Sequence, residues 1–198
     1  MKNESYNEEE VGSQLRHLSR ESQVAFALSC CERMFPNYHA FQQHHGWGDA
    51  NVLRSGIDYG WSWLTGGGVE AGKGAEDLRN ACESQAPDTE DFPSIYVSPA
   101  LDAASAVTLL LDLIRDGDST LAVDIATLSR DTVDMYVQEL EQMPANSPGL
   151  EDRIRLHPLM QVEIERQYND IEQLSLGVTP AEAKQKWRMP ELGSIGLK

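Results

Sequence analysis

Apolar residues recur every three or four positions along most of the chain, whereas runs that alternate apolar and polar residues are hard to find. Val24, Leu28, Cys31 and Phe35 follow the spacing i, i+4, i+7 and i+11, which places them on one stripe of a helix. Alternation is the mark of a half-buried strand. The pattern therefore predicts an all-α protein, and we expect a single-domain multi-helix bundle.

Capping residues and prolines divide this pattern into helices. Ser19 is placed to cap a helix, and Pro36, which lacks an N–H, is expected to end that helix or to open a short one that stops at Gly46. Asp49 is placed to cap the next helix, which carries Val52, Leu53, Ile57, Trp61 and Leu64. We therefore expect a tight corner of three helices.

The most apolar segment, ALDAASAVTLLLDLIRD, is expected to form the central helix, from about Pro99 to Asp116. Ser98 followed by Pro99 is a favourable helix start, and Gly117 is a favourable end. The polar residues of this helix form one narrow stripe, which consists of Ser98, Asp102, Ser105, Asp112 and Arg115.

Three further helical segments are expected after the central helix. Asp118 or Ser119 can cap a long helix that follows it. A second amphipathic stretch is expected to break or kink at His157-Pro158, and Thr179-Pro180 is expected to start a last helix that runs through Trp187.

The length of 198 residues and the hydrophobic content of 40% allow one sizeable core, so we expect one domain at 1–198, with a disordered N-terminus at 1–10 and a tail at 190–198. The N-terminal segment has no apolar signal-peptide core, and no stretch approaches the roughly eighteen apolar residues of a membrane span. The three cysteines form no CxxC pair and are expected to be reduced thiols. We therefore expect a cytoplasmic protein.

The chain is strongly acidic, since 32 Asp and Glu residues against 16 Lys and Arg residues give a formal net charge of -16. Such a charge repels nucleic-acid phosphates and anionic lipid surfaces, so neither nucleic acid nor membrane is expected as a partner. The acidic residues are concentrated between Glu76 and Glu141. This concentration indicates a solvated face or a docking surface for a basic protein partner.

GGVEAGKG, residues 67–74, matches the first seven positions of the phosphate-binding loop GxxxxGK[ST]. The eighth position is Gly74, which lacks the Mg²⁺-binding hydroxyl, and a helical GWSWL stands where the motif needs a strand. A flexible connector from Thr65 to Gly74, followed by a short helix from about Ala75 to Ser84, is the favoured interpretation. No cofactor is expected.

A carboxylate di-metal site is disfavoured because the chain contains no Glu-x-x-His pair. A looser mononuclear site that uses His39, His44 or His45 with Cys82 or an acidic residue is an alternative, since Cys and His suit zinc. Adjacent histidines before Gly46 more often interact with the carbonyl end of a helix. No metal site is therefore assigned.

Nucleophilic catalysis by a cysteine needs a partnered base and electropositive surroundings. Cys31 lies on an apolar stripe, Cys30 lies beside it, and Cys82 has acidic neighbours. No catalytic residue is assigned.

Two acidic residues of the central helix need partners if they are buried. We expect Asp102 to interact with the N-terminal end of the helix dipole, and Asp112 to pair with an arginine such as Arg33 or Arg54.

Four segments together carry a family resemblance: CERMFPNYHAF at Cys31–Phe41, GWGD at Gly46–Asp49, YVSPALDA at Tyr96–Ala103 and SIG at Ser194–Gly196. With these segments in this order, the chain resembles the bacterial YjaG-like proteins, the domain-of-unknown-function 416 family. The resemblance implies a cytoplasmic, all-helical bacterial protein without an established activity, and it supplies no catalytic residues. The glycine-rich loop at Thr65–Gly74 departs from the family pattern, which further weakens a nucleotide role.

The first of these segments is interpreted as architecture, because its apolar residues follow helical spacing across a corner marked by a proline. Glu32 or Arg33 can tie this corner to neighbouring helices. The residues assigned to the structural motif are Cys31, Glu32, Arg33, Met34, Pro36, Asn37, Tyr38 and Asp102.

The leading functional hypothesis is a non-enzymatic protein that acts through protein contacts, by self-association or with a basic partner. One alternative is a small metal-binding protein or enzyme that uses His39, His44, His45 and Cys82. Another is an acidic inhibitor that neutralises a basic toxin or nuclease by charge.

Overall fold

Nine α-helices and no β-strand form the part of the chain that the computed structural model describes, which is residues 7–66, 73–144, 146–188 and 193–197. This architecture confirms the predicted all-α fold class. The helices are α1 Glu8–His17, α2 Arg20–His45, α3 Ala50–Leu64, α4 Lys73–Glu83, α5 Val97–Asp116, α6 Thr120–Leu140, α7 Leu150–Arg155, α8 Pro158–Ser175 and α9 Pro180–Trp187.

Helix α5 lies at the centre of the bundle and packs against α2, α3, α4 and α6. It is the helix that the apolar pattern predicted, and it ends at Gly117 with a φ of 70°. It begins at Val97, earlier than expected, because the backbone of Tyr96 is already helical. Ser98 therefore lies inside the first turn, and its side chain is not the cap.

Within the described residues, α5 is long and apolar enough to cross a membrane by length and composition, so the expectation that no segment qualifies was wrong. Two thirds of its most apolar window (67%) is buried in the protein, as in the core helix of a globular domain.

Helix α2 is continuous through Pro36, so the prediction that this proline ends or opens a helix was wrong. An interior proline costs about 3 kcal/mol. Burial of one large apolar side chain stabilises the fold by about 1.5–3 kcal/mol. Helix α2 buries Phe26, Met34, Tyr38 and Phe41 completely. Packing of α2 against α3, α5 and α6 therefore outweighs the local signal. The outer ends at Ser19 and Gly46 are as predicted.

Close approach at two glycines fixes the position of α3. A Cβ atom at Gly56 would lie 2.6 Å from Val107 Cγ1 on α5, and one at Gly60 would lie 2.9 Å from Leu28 Cδ2 on α2. Asp49 caps α3 as predicted, through a hydrogen bond from Asn51 N. The corner that was predicted to contain three helices therefore contains two, α2 and α3.

The remaining helix boundaries follow local signals. The Asp118 carboxylate accepts from Thr120 N at the start of α6, and the chain breaks between α7 and α8 at His157-Pro158 as expected. Thr179 forms a capping box at the start of α9.

Both chain ends carry more structure than the sequence suggested. Helix α1 begins at Glu8, inside the segment expected to be disordered, and residues 1–6 lie outside the described part. In the expected tail, Ser194 and Ile195 are buried. Ile195 joins a small second core formed with α6, α7 and α8, whose other buried members are Val133, Val137, Ile154 and Met160.

Candidate functional site

Two adjacent charged residues of α2, Glu32 and Arg33, are buried and hold different neighbouring helices. Glu32, which is 1% exposed, accepts two hydrogen bonds from the Arg54 guanidinium at 2.7 and 2.8 Å. It accepts a third from Trp61 Nε1 at 2.7 Å. Because Arg54 and Trp61 belong to α3, Glu32 fixes α2 to α3.

Arg33 binds two carboxylates of α8 in the core. Its Nε and Nη2 donate to Glu163 at 3.1 and 3.2 Å, and its Nη1 donates to Asp170 at 2.7 Å. Ser129 of α6 and Ser29 of α2 donate to the same two carboxylates at 2.7 and 2.8 Å. Burial alone would lower the pKa of Arg33, but Glu163 and Asp170 outweigh it and raise the pKa. This cluster fixes α2, α6 and α8 to one another.

The turn of α2 around Pro36 is also where the C-terminal segment binds. Ser194 N donates to the Arg33 carbonyl at 2.7 Å, and Asn37 Nδ2 donates to Ser194 Oγ at 2.9 Å. A Cβ atom at Gly193 would lie 2.8 Å from the Arg33 carbonyl oxygen. The segments CERMFPNYHAF and SIG, which are distant in sequence, are therefore one contact in space.

The structure does not bring the four candidate metal ligands together. The rings of His44 and His45 contact aromatic side chains, with centroids 5.6 Å from Tyr96 and 5.1 Å from Phe92. His39 lies 3.4 Å from Gln43 Nε2, and the Cys82 thiol faces the carbonyl of Val52 at 3.6 Å. Among the described residues, no group of three or more His, Cys, Asp or Glu side chains could hold a metal ion.

The thiols lie in surroundings that disfavour a nucleophile. Cys30, Cys31 and Cys82 are all buried. Burial raises the pKa of Cys30 and of Cys82 to about 12, and it raises the pKa of Cys31 well above the ordinary value. A thiolate would therefore form rarely at neutral pH. In the glycine-rich segment, residues 67–72 lie outside the described part of the chain, and Gly74 lies in α4.

A surface groove runs along α5 between α4 and α6, and its floor contains polar residues of α5 such as Ser105 together with apolar ones such as Leu109. We name it the α5 groove. One depression in it, with a volume of about 530 Å³, is lined by Ser105 and Leu109 of α5 and by Thr127 and Leu128 of α6. Acidic side chains stand at its rim, Glu83 on α4 and Asp124 on α6, and both are exposed.

A second depression, of about 440 Å³, lies at the N-terminal end of α5, and we count it as part of the α5 groove because α5 and α6 line both depressions. Its apolar lining includes Phe92, Ile95 and Met135, and 44% of the Met135 side chain is exposed. Glu139 lies in the same lining. The groove therefore combines partly buried apolar side chains and the exposed Met135 with carboxylates.

Asp102 of α5 and Asp131 of α6 stand in sequence between the residues of these helices that line the two depressions, and neither forms an ion pair with a basic residue that the structure describes. Thr132 Oγ1 donates to Asp102 at 2.8 Å. Burial raises the pKa of Asp102 to about 6, and the nearby charge of Asp131 adds to the effect. Burial also raises the pKa of Asp131, although the neighbouring charge of Arg130 lowers it. A cation placed between them would favour their ionised forms.

The family model described as "Protein of unknown function (DUF416)" matches residues 10–188. The chain belongs to the DUF416 family. Its relatives include the uncharacterized protein YjaG of Escherichia coli K12, which is 31% identical over 156 residues, or 78% of this chain and 76% of that one. An uncharacterized protein of Haemophilus influenzae is 28% identical over 65% of each chain. A crystal structure of a DUF416 family protein from Shewanella baltica superposes with a TM-score of 0.85 at 26% identity, covering 94% of this chain and 97% of that one.

In this DUF416 chain Asp112 has partners other than those expected. It pairs with Arg79 of α4 at 3.3 Å and with Arg115 of α5 at 2.8 Å. The expected partners Arg33 and Arg54 are held by other carboxylates in the core. The expected pairing with arginine is confirmed, but the two named arginines were wrong, because helical spacing shows which face Asp112 occupies and not which helix packs against that face.

Sequence reasoning on the DUF416 chain found the acidic segment and the polar stripe but missed the groove. The missing element was the partial exposure of Leu109 and Leu128 and the greater exposure of Met135, since their spacing alone is typical of buried positions. The signal that could have found them is their proximity to acidic residues, because Asp112, Asp124 and Asp134 lie within one turn of them.

Proposed function

We propose that this DUF416 protein is a cytoplasmic binding protein that holds a basic protein partner in the α5 groove. The observation that carries the proposal is the apolar part of the groove floor, which lies open between exposed carboxylates. Among the described residues, the lining contains one basic residue, Arg79, which is paired with Glu83 and Asp112. Its positive charge therefore does not neutralise the other carboxylates of the groove.

An amphipathic helix with one basic face fits these dimensions. From Ser98 to Asp112 the floor runs along α5 for about 21 Å, at about 1.5 Å per residue, which is the length of about four helical turns. Apolar side chains of such a helix would contact Leu109, Leu128 and Met135, as in other helix-in-groove complexes. Its Lys and Arg side chains would face the carboxylates at the rim.

A second copy of the chain is a poorer occupant. Each copy has a net charge of -16, and two α5 grooves placed face to face would bring unpaired carboxylates together. A basic partner removes that repulsion, and a basic toxin or nuclease is one partner with the required charge.

Site-specific photo-crosslinking tests the proposal. A photoreactive amino acid at Leu128, inside the groove, should crosslink a basic protein from an extract of the source cells. The same group at Leu176, which is 80% exposed and lies at the end of α8, is the control and should not crosslink that protein.

Charge reversal decides whether the captured protein uses the groove. Asp124→Lys with Asp131→Lys should abolish the Leu128 crosslink, whereas Glu165→Lys with Glu172→Lys changes the net charge equally on α8 and should preserve it. Capture of an acidic protein, of a second copy, or of the same protein by both variants would contradict the proposal.

A further inference from the structure

A cavity of about 250 Å³ lies on another side of the bundle, between α2, α8 and α9. Arg33 and Ser29 of α2 lie at its base, Arg166 and Asp170 of α8 line one wall, and Trp187 of α9 lines another. Lys186 also lines the cavity, and it is exposed to solvent.

The Arg166 guanidinium in this cavity has no carboxylate partner among the described residues. Its nearest acceptor is the Gly193 carbonyl, at 3.4 Å from Nη1. Burial lowers the pKa of Arg166 and the neighbouring positive charge of Arg33 lowers it further, whereas Glu163 and Asp170 raise it. Arg33 is already paired with both of these carboxylates, so Arg166 is the guanidinium that remains to bind a negative charge.

Trp187 forms one wall of the cavity. The side chain is 7% exposed, and its indole Nε1 is buried without an acceptor among the residues that the structure describes. Because the ring lies beside the cavity, its N–H signal can report a group that binds there.

The lining contains both donors and acceptors. Oδ2 of Asp170 accepts from Arg33 and Ser29. The side-chain oxygen of Gln173 accepts from Lys186, which leaves the amide NH₂ of Gln173 as a donor. This amide and the guanidinium of Arg166 are donors that match the oxygens of a small oxyanion.

We propose that this cavity binds a small oxyanion, the phosphate or carboxylate group of a metabolite, through Arg166 and Lys186. Arg166 supplies a planar pair of donors that matches two oxygens of such a group. Trp187 supplies an apolar ring face beside the bound group. The volume limits the ligand to a small molecule, since pockets for drug-sized ligands are larger, at about 300–1,000 Å³.

Titration of the indole N–H signals by nuclear magnetic resonance tests the site. The chain has four tryptophans, and Trp187→Phe identifies which indole signal belongs to Trp187. Inorganic phosphate and acetate are the two probes. A saturable shift of the Trp187 signal, with the other three unchanged, is expected for at least one probe. A response to phosphate alone identifies a phosphate site, and a response to acetate alone identifies a carboxylate site.

Two charge variants separate a built site from general attraction of anions. Arg166→Gln should raise the dissociation constant of the anion about tenfold or more, because it removes a charge-assisted pair of hydrogen bonds. Lys184→Gln removes one positive charge from α9 without touching the lining and should change it less than about twofold. An unmoved Trp187 signal, or equal weakening by the two variants, would overturn the proposal.

Discussion

Individual charged residues in this protein fall into two groups with opposite roles. Glu32, Arg33, Glu163 and Asp170 are buried, and their hydrogen bonds come from other protein side chains. Asp102 faces a groove and has only a hydroxyl donor, Thr132. The first group stabilises the arrangement of the helices, whereas partial burial of Asp102 without a cation raises its pKa and disfavours its charge.

Arg33→Met should destabilise the fold strongly, because it leaves the carboxylates of Glu163 and Asp170 buried without their cation. The expected loss is about 3–5 kcal/mol in the free energy of unfolding, measured by urea denaturation. Adding Glu163→Gln should recover part of this loss. The control Arg155→Met, which breaks an exposed pair with Asp152, should cost less than about 0.5 kcal/mol. Equal effects of the two single variants would contradict the assigned role of Arg33.

Asp102→Asn should stabilise the protein at neutral pH. The pKa of Asp102 is raised from 3.8 to about 6 in the folded state, so the folded chain binds more protons than the unfolded chain between these values. Stability from this group is therefore present at low pH and falls as the pH rises from about 4 to about 6. An asparagine cannot ionise but can still accept from Thr132.

Thermal unfolding across that pH range measures the effect. Above pH 6 the gain from Asp102→Asn should be about 1–2 kcal/mol, and below pH 4 it should vanish. Asp124→Asn, at an exposed position, is the control and should give no such pH dependence. A gain that is independent of pH would show that Asp102 is not the titrating group.

At the scale of helices, local sequence signals predicted where several helices begin and end. Long-range contacts decided whether a helix continues through a proline and which terminal residues are buried. Ser19, Asp49 and Thr179 cap helices as predicted, because a cap depends on residues within one turn. The effect of Pro36 could not be predicted, since it depends on how completely the neighbouring helices bury α2. The burial of Ser194 was also beyond prediction, because its partners lie more than a hundred residues away.

Gly193→Ala tests whether the C-terminal segment is part of the fold in solution. An added Cβ atom would lie 2.8 Å from the Arg33 carbonyl oxygen, and a backbone atom cannot move aside cheaply. The expected loss in the free energy of unfolding is about 1–3 kcal/mol. Gly74→Ala in α4 meets nothing within 4 Å and should be neutral or stabilising by up to about 1 kcal/mol. An unchanged stability for Gly193→Ala would mean that the segment does not bind this turn.

At the scale of the whole molecule, the proposed function gives the acidity a role beyond solubility. A net charge of -16 opposes the compact state through self-repulsion. Under the proposal, the exposed carboxylates beside the α5 groove offset this cost by selecting a basic partner. Only the assembled bundle reveals the groove, because it is formed by α4, α5 and α6 together.

Calorimetric titration with a helical peptide that has one lysine face and one leucine face tests this account most directly. The native protein should bind the peptide, and added salt should weaken the binding. Asp124→Lys with Asp131→Lys should weaken it about tenfold or more, and Glu165→Lys with Glu172→Lys by less than about twofold. Equal weakening by the two pairs would contradict the account, because the peptide would then be responding to net charge and not to the α5 groove.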